Sequence, residues 1–261
     1  MSDAVTPDND GLEVEAASAI ARDVSDFLTQ VDFERYGPSE QNDFDVFNLA
    51  EFVEHYVSGR TYPIDRLKEA TLRLVDLRLQ LEYIEFDLGL MNTFYYSHPN
   101  YEQGGIIPAK SKLAKMALEQ SVIGRIRIAW EKLFRLIYFL ETGKPEISGH
   151  RVKRIFFKWV DTTAKWRFLT PYEAIVEAFD ARYRTPEYHK HSVVRGQLVS
   201  GKDLDLNDVL TPLNYLKNTI WPNLISILNG RTAAHFTDLH EVDQFKIDPR
   251  YLTVEQQGEP D

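Results

Sequence analysis

The chain has 261 residues, a formal net charge of −10 and no cysteine. It is long enough to bury a substantial core, and the lack of cysteine excludes disulfides and thiolate metal sites. No apolar run approaches the ~20 residues of a membrane span, and the polar start MSDAVTPDNDGLEVE has no signal-peptide pattern, so a cytoplasmic protein without a membrane partner is expected.

Charge is uneven along the chain. Residues 1–57 hold 14 Asp/Glu against only Arg22 and Arg35, whereas residues 144–202 hold 12 Lys/Arg against 6 Asp/Glu. A local basic surface on an acidic protein is one outcome; mutual neutralisation of the two segments is the other.

In chain order, LEVEAASAIARDVSDFLTQV places Val14, Ala17, Ala21, Val24 and Leu28 on one helical stripe, and DVFNLAEFVEHYV does the same with Leu49, Phe52, Val53, Tyr56 and Val57. Two long helices are expected next. The first starts near Pro63, a favoured first-turn residue, and runs to about Tyr96. Leu67, Thr71, Leu74, Leu81, Ile84, Leu88 and Met91 share one face, broadened by Leu72, Val75, Leu79, Phe86 and Leu90. The second runs from about Ser111 to Glu141, with Gly143 as its C-terminal cap and Pro145 beyond. The connection SHPNYEQGGIIPAK implies an antiparallel hairpin.

Shorter helices follow. GHRVKRIFFKWVDTTAKW turns Val152, Ile155, Phe156, Trp159 and Val160 inward and a row of bases outward. TPYEAIVEAFDARY has the form of a capping box, with Thr170 as cap, Pro171 next and Glu173 three residues on. DLDLND, residues 203–208, lacks the glycine and the terminal Glu of a calcium loop and reads as a polar turn capping the next helix, LNDVLTPLNYLKNTIWPNLISILNG. Little reads as strand. The expected fold is all-α, a helical bundle built on a long antiparallel helix hairpin, with residues 1–58 as an acidic helical extension, 59–252 as the helical domain and 253–261 as a disordered tail.

The stretch DARYRTPEYHKHSVVRGQLVSG, residues 180–201, carries the most specific chemistry. Thr185-Pro186 reads as a cap followed by the first helical residue, which ends the preceding helix near Tyr183 and brings Arg184 against His189 at a helix N-terminus. The helix dipole disfavours a cation there unless an anion joins it, and phosphate is the usual anion. His189 and His191 point about 200° apart on a helix, so with His235 and His240 they make a poor metal site, and no cofactor is expected.

Arg184-Thr185-Pro186-Glu187-Tyr188-His189, an arginine and a histidine with four residues between them, resembles the signature of the HEPN superfamily. Arg184 to His191 fits the same motif with six intervening residues, and residues 60–230 resemble a HEPN bundle, including IRIAWEKLFRLIYFLETGK as its long second helix. A proline inside the motif departs from the pattern, and a rival, Arg231 to His235 in NGRTAAHF, is one residue short. The resemblance implies a metal-independent endoribonuclease, a toxin or antiviral defence effector. Arg184 would hold the phosphate and His189 transfer protons as the RNA 2′-OH attacks, with Thr185, His191, Arg231 and His235 as supporting or alternative residues. One motif supplies half an acid–base pair, so a homodimer is implied. The bases Arg151, Lys153, Arg154 and Lys158 are the candidate RNA-steering surface. The alternatives are a non-catalytic HEPN-like binding or regulatory subunit of a toxin–antitoxin or defence system and, further off, a partner of a nucleotidyltransferase. Without any site, Arg184 would pair with Glu187 or a neighbouring helix and His189 would be an ordinary surface histidine.

Overall fold

The structure, a computed structural model, describes residues 11, 14–19, 22, 66–144, 147, 151–189, 191–220 and 224. Among them every regular element is helical, and the chain forms an all-α bundle on a long antiparallel hairpin. The expected helix at 45–57, the start at Pro63, Arg231, His235, His240 and the tail at 253–261 lie outside the described residues. Of the N-terminal segment, Ala17 is buried in the core and Val14 packs against it.

Helix α1, Leu67–Met91, and helix α3, Ala109–Thr142, are the two arms. α1 runs on through a π-helical turn, Asn92–Tyr96. The return contains one short helix, α2, Pro99–Glu102, whose first turn is capped by His98 Nδ1 accepting from the Asn100 amide at 3.1 Å. The expected stripe on α1 is buried throughout: Leu67, Thr71, Leu74, Leu81, Ile84, Leu88 and Met91. Its second flank is less covered than expected, because Leu72 stays exposed. α3 ends where the sequence places it. Gly143 adopts φ 65°, and its amide closes the last turn on the Phe139 carbonyl at 2.7 Å.

Helix α4, Val152–Thr162, leads through a 3₁₀ turn, Ala164–Leu169, into α5, Pro171–Phe179. α4 buries Val152, Phe156, Phe157 and Val160. Phe157 rather than Ile155 faces inward, because Phe134 of α3 stacks on Phe156 at 4.6 Å and meets Phe157 edge-on at 5.2 Å. The expected capping box at Thr170 does not form. Thr170 is itself α-helical, continuous with the 3₁₀ turn, and its hydroxyl bonds the Asp161 carboxylate at 3.0 Å. Helix α8, Leu206–Tyr215, is capped by Asp205, as its polar turn predicts, and runs into a π-helical turn, Leu216–Ile220. Trp130 of α3 ties it down by donating its indole N–H to the Pro212 carbonyl at 3.1 Å. Burying side chains of this size contributes about 1.5–3 kcal/mol each, so the α1–α3–α4–α8 core holds the bundle together.

Candidate functional site

Between α5 and helix α6, Thr185–His189, the chain does not break. A π-helical turn, Asp180–Arg184, joins them, and Thr185 is α-helical at φ −68°, ψ −46°. Proline disfavours this conformation in the residue before it. The wider turn explains how it is met: the Thr185 amide reaches back to the Asp180 carbonyl, which gives the Pro186 ring the room that a regular helix denies it. Thr185 therefore does not cap a helix, and Arg184 lies within a continuous helical run.

Five residues along such a run rotate about 140°, so Arg184 and His189 flank the helix instead of meeting on one face. No hydrogen bond or ion pair joins them. Arg184 is half-buried and His189 exposed. His191 is exposed too, and sits beyond the helix end.

Glu187 does not pair with Arg184. It is buried, accepts from the Ser192 hydroxyl at 2.7 Å and from the Val194 amide at 3.0 Å, and so secures the start of helix α7, Val193–Ser200. A carboxylate at a helix N-terminus is favoured by the free amides and the dipole.

Two contacts fix the run to α3. Arg127, buried, pairs with Asp180 at 2.9 Å and with Glu131 at 3.1 Å. Tyr188 lays its hydroxyl over Gly124 and donates to the Gln120 carbonyl at 3.0 Å; a Cβ on Gly124 would stand 2.3 Å from that oxygen. Burial pushes the Tyr188 phenol up, Glu187 adds to this, and the Arg184 and Arg125 guanidiniums oppose it. Arg125 stacks at 4.7 Å over the exposed Tyr83 ring and pairs with Asp87 at 3.0 Å. Arg184, Arg125, Tyr83 and Tyr188 thus form an arginine–tyrosine surface, a composition that suits phosphates and stacked bases.

Of the four bases proposed on and just before α4, Arg151, Arg154 and Lys158 face solvent. Lys153 turns the other way, toward Glu177 at 3.5 Å and Asp180 at 3.4 Å. Its ion pair joins the start of α4 to the turn that ends in Arg184.

A second polar cluster has no counterpart in the motif. Lys115 is buried and its ammonium meets Glu119 at 2.7 Å, Asp203 at 2.9 Å and the Gln197 side chain at 3.1 Å. Gln197 also donates to Glu119 at 2.7 Å. Lys115 further lies 5.1 Å from the centroid of the Tyr95 ring, in a cluster with Tyr96 and Tyr101. Burial raises the Glu119 carboxyl above its ordinary value, Asp203 adds to this, and Lys115 and Gln197 oppose it. Burial pushes the Tyr95 phenol up to about 12. The cluster borders a cleft of about 240 Å³ between α3 and α7. One signal was available in the sequence: Lys115 and Glu119 continue the alternating three- and four-residue register of Val122, Ile126, Leu133 and Ile137, so a helix that buries those residues also buries this charge pair.

No helix among the described residues is long and apolar enough to cross a membrane. No family model, no curated protein and no solved structure matches this chain.

Proposed function

We propose that the chain is a HEPN-type endoribonuclease of a toxin–antitoxin or antiviral defence system, acting in the cytoplasm as a homodimer. The observation that carries this reading is that Arg184, half-buried, and His189, exposed, lie five residues apart on one helical run fixed to the bundle by Tyr188 and Asp180. Arg125 and Tyr83 stand beside Tyr188, and Arg154 and Lys158 of α4 are exposed. RNA supplies the nucleophile, its own 2′-OH. Imidazole can take or give a proton near neutrality, and guanidinium stabilises the charge building on the phosphate. The 2′-OH oxygen bonds to phosphorus, the bond to the 5′-oxygen breaks, and the products are a 2′,3′-cyclic phosphate and a 5′-hydroxyl. The two residues diverge by about 140°, so each face of the helix end offers one group, and a two-fold copy completes the acid–base pair.

The same divergence favours a second reading, a non-catalytic helical subunit that holds RNA or a partner on this face. One experiment separates the two. Purified protein is incubated with total RNA in EDTA, beside Arg184→Ala, His189→Ala, His191→Ala, Arg231→Ala and His235→Ala. Cleavage lost in the first two variants alone supports the first reading. Loss with His191→Ala instead selects the six-residue spacing, and loss with Arg231→Ala and His235→Ala moves the site. If the wild type cuts nothing, the non-catalytic reading stands.

A further inference from the structure

The cleft beside Lys115 is separate from the Arg184 surface, and nothing in the proposed ribonuclease chemistry uses it. Its far wall is α3, with Lys112, Lys115 and Met116; its near wall is α7 and the turn after it, with Leu198 and Lys202. We propose that this cleft binds a small organic anion, carrying a phosphate or carboxylate head, with the head between Lys112 and Lys202 and the body against Met116 and Leu198.

Charge argues for an anion. Lys115 already has carboxylate partners, Glu119 and Asp203. Lys112 and Lys202 have no ion pair with any described residue, and both are exposed at the rim. Asp203 also lines the cleft, so Lys115 with Glu119 and Asp203 formally carries one excess negative charge, and the two uncommitted ammonium groups turn the cleft net positive by one. Phosphate and carboxylate are the natural complements of such donors.

Size limits the ligand. The cleft is smaller than the ~300–1,000 Å³ typical of sites for drug-sized molecules, which fits a single small metabolite better than a polymer. Met116 and Leu198 offer an apolar wall, and Leu198 is otherwise left open to water. Rigidity comes from the buried network. Lys115, Glu119, Gln197 and Asp203 join α3 to α7 and to the turn after Gly201, so the two walls hold a fixed spacing before a ligand arrives.

The test uses the full chain at constant ionic strength, with inorganic phosphate, AMP and benzoate as probes and adenosine and chloride as controls. Thermal unfolding and titration calorimetry report binding. At least one of the three anions is expected to raise the melting temperature saturably, with the controls inert. Phosphate alone against AMP separates recognition of the head from recognition of the body; benzoate identifies a carboxylate site. The Lys112→Ala/Lys202→Ala variant, altered only at exposed positions, should bind about tenfold or more weakly, the scale of a lost charge-assisted hydrogen bond. Arg184→Ala and Arg154→Ala/Lys158→Ala should bind as the wild type does, so failure of the RNA reading leaves this result untouched. No saturable shift with any probe at concentrations up to about 10 mM, weaker than any useful metabolite site, or an equal shift in the double lysine variant, overturns the proposal.

Discussion

Replacing Lys115 by methionine should be among the most damaging single changes in the molecule. The Lys115 side chain is only 2 % exposed, and among the described residues it is the sole cation paired to Glu119, which is 1 % exposed. Methionine preserves most of the volume, so the packing loss is small. The main cost is electrostatic: a buried carboxylate stranded without its cation costs about 3–5 kcal/mol. Gln197 still donates to Glu119, which places the expected loss near the lower end, about 3 kcal/mol. The deficit should widen with pH. Without Lys115 the Glu119 carboxyl, already raised above its ordinary 4.5, rises further, so the variant suffers most where the acid must ionise. Lys115→Met/Glu119→Leu removes both charges and should recover most of the loss, because a buried pair exchanged for apolar groups is often neutral or stabilising. Urea unfolding followed by helical circular dichroism, run as a double-mutant cycle, measures each term. A single-variant loss below about 1 kcal/mol, or a double variant no more stable than the single, refutes the view that this pair is a buried, mutually dependent unit.

Glu119→Gln should flatten the pH dependence of stability. A carboxyl raised in the fold favours the folded state most below its unfolded pKa and loses that contribution as pH climbs toward the folded value, so the variant should gain on the wild type as pH rises above the ordinary carboxylate range; parallel curves in urea titrations would contradict this. Gly124→Ala should leave stability nearly unchanged, since a helix-propensity gain of about 0.8–1 kcal/mol offsets a lost Tyr188 hydrogen bond of about 1 kcal/mol, while RNA binding or cleavage falls because Tyr188 no longer seats α6; unchanged RNA activity would show that this anchor does not position the site. Gly143→Ala should cost about 1–2 kcal/mol in urea unfolding, because φ 65° is strained for any residue with a Cβ and that Cβ would fall on the Arg66 guanidinium; a loss under about 0.5 kcal/mol would refute it. Arg154→Glu/Lys158→Glu should weaken RNA binding and reduce its salt dependence, whereas unchanged binding in filter assays would leave α4 a plain solvated face.

Local chemistry was enough to read the all-α class, the two long arms, the Gly143 cap, the polar capping turn before α8 and most of the α1 stripe, because periodicity and capping depend on near neighbours in the chain. It also singled out the segment that carries Arg184 and His189, although nothing local could fix their relation. Thr185-Pro186 carries a stop signal, and the fold overrides it with a π-helical turn held to α3 by Arg127 through Asp180 and by Tyr188 over Gly124. Those anchors come from residues more than 50 positions away, so no window of sequence contains them. The same limit explains Lys153, which looks like a partner for RNA until Asp180 and Glu177 draw it inward. It explains the Lys115 cluster as well: its register on α3 shows that a charge pair must be buried, but Gln197 and Asp203, 82 and 88 residues away, supply the further partners of the ammonium. Hydrogen bonds and ion pairs need atoms within a few ångströms of one another, and only the packed helices bring those atoms together.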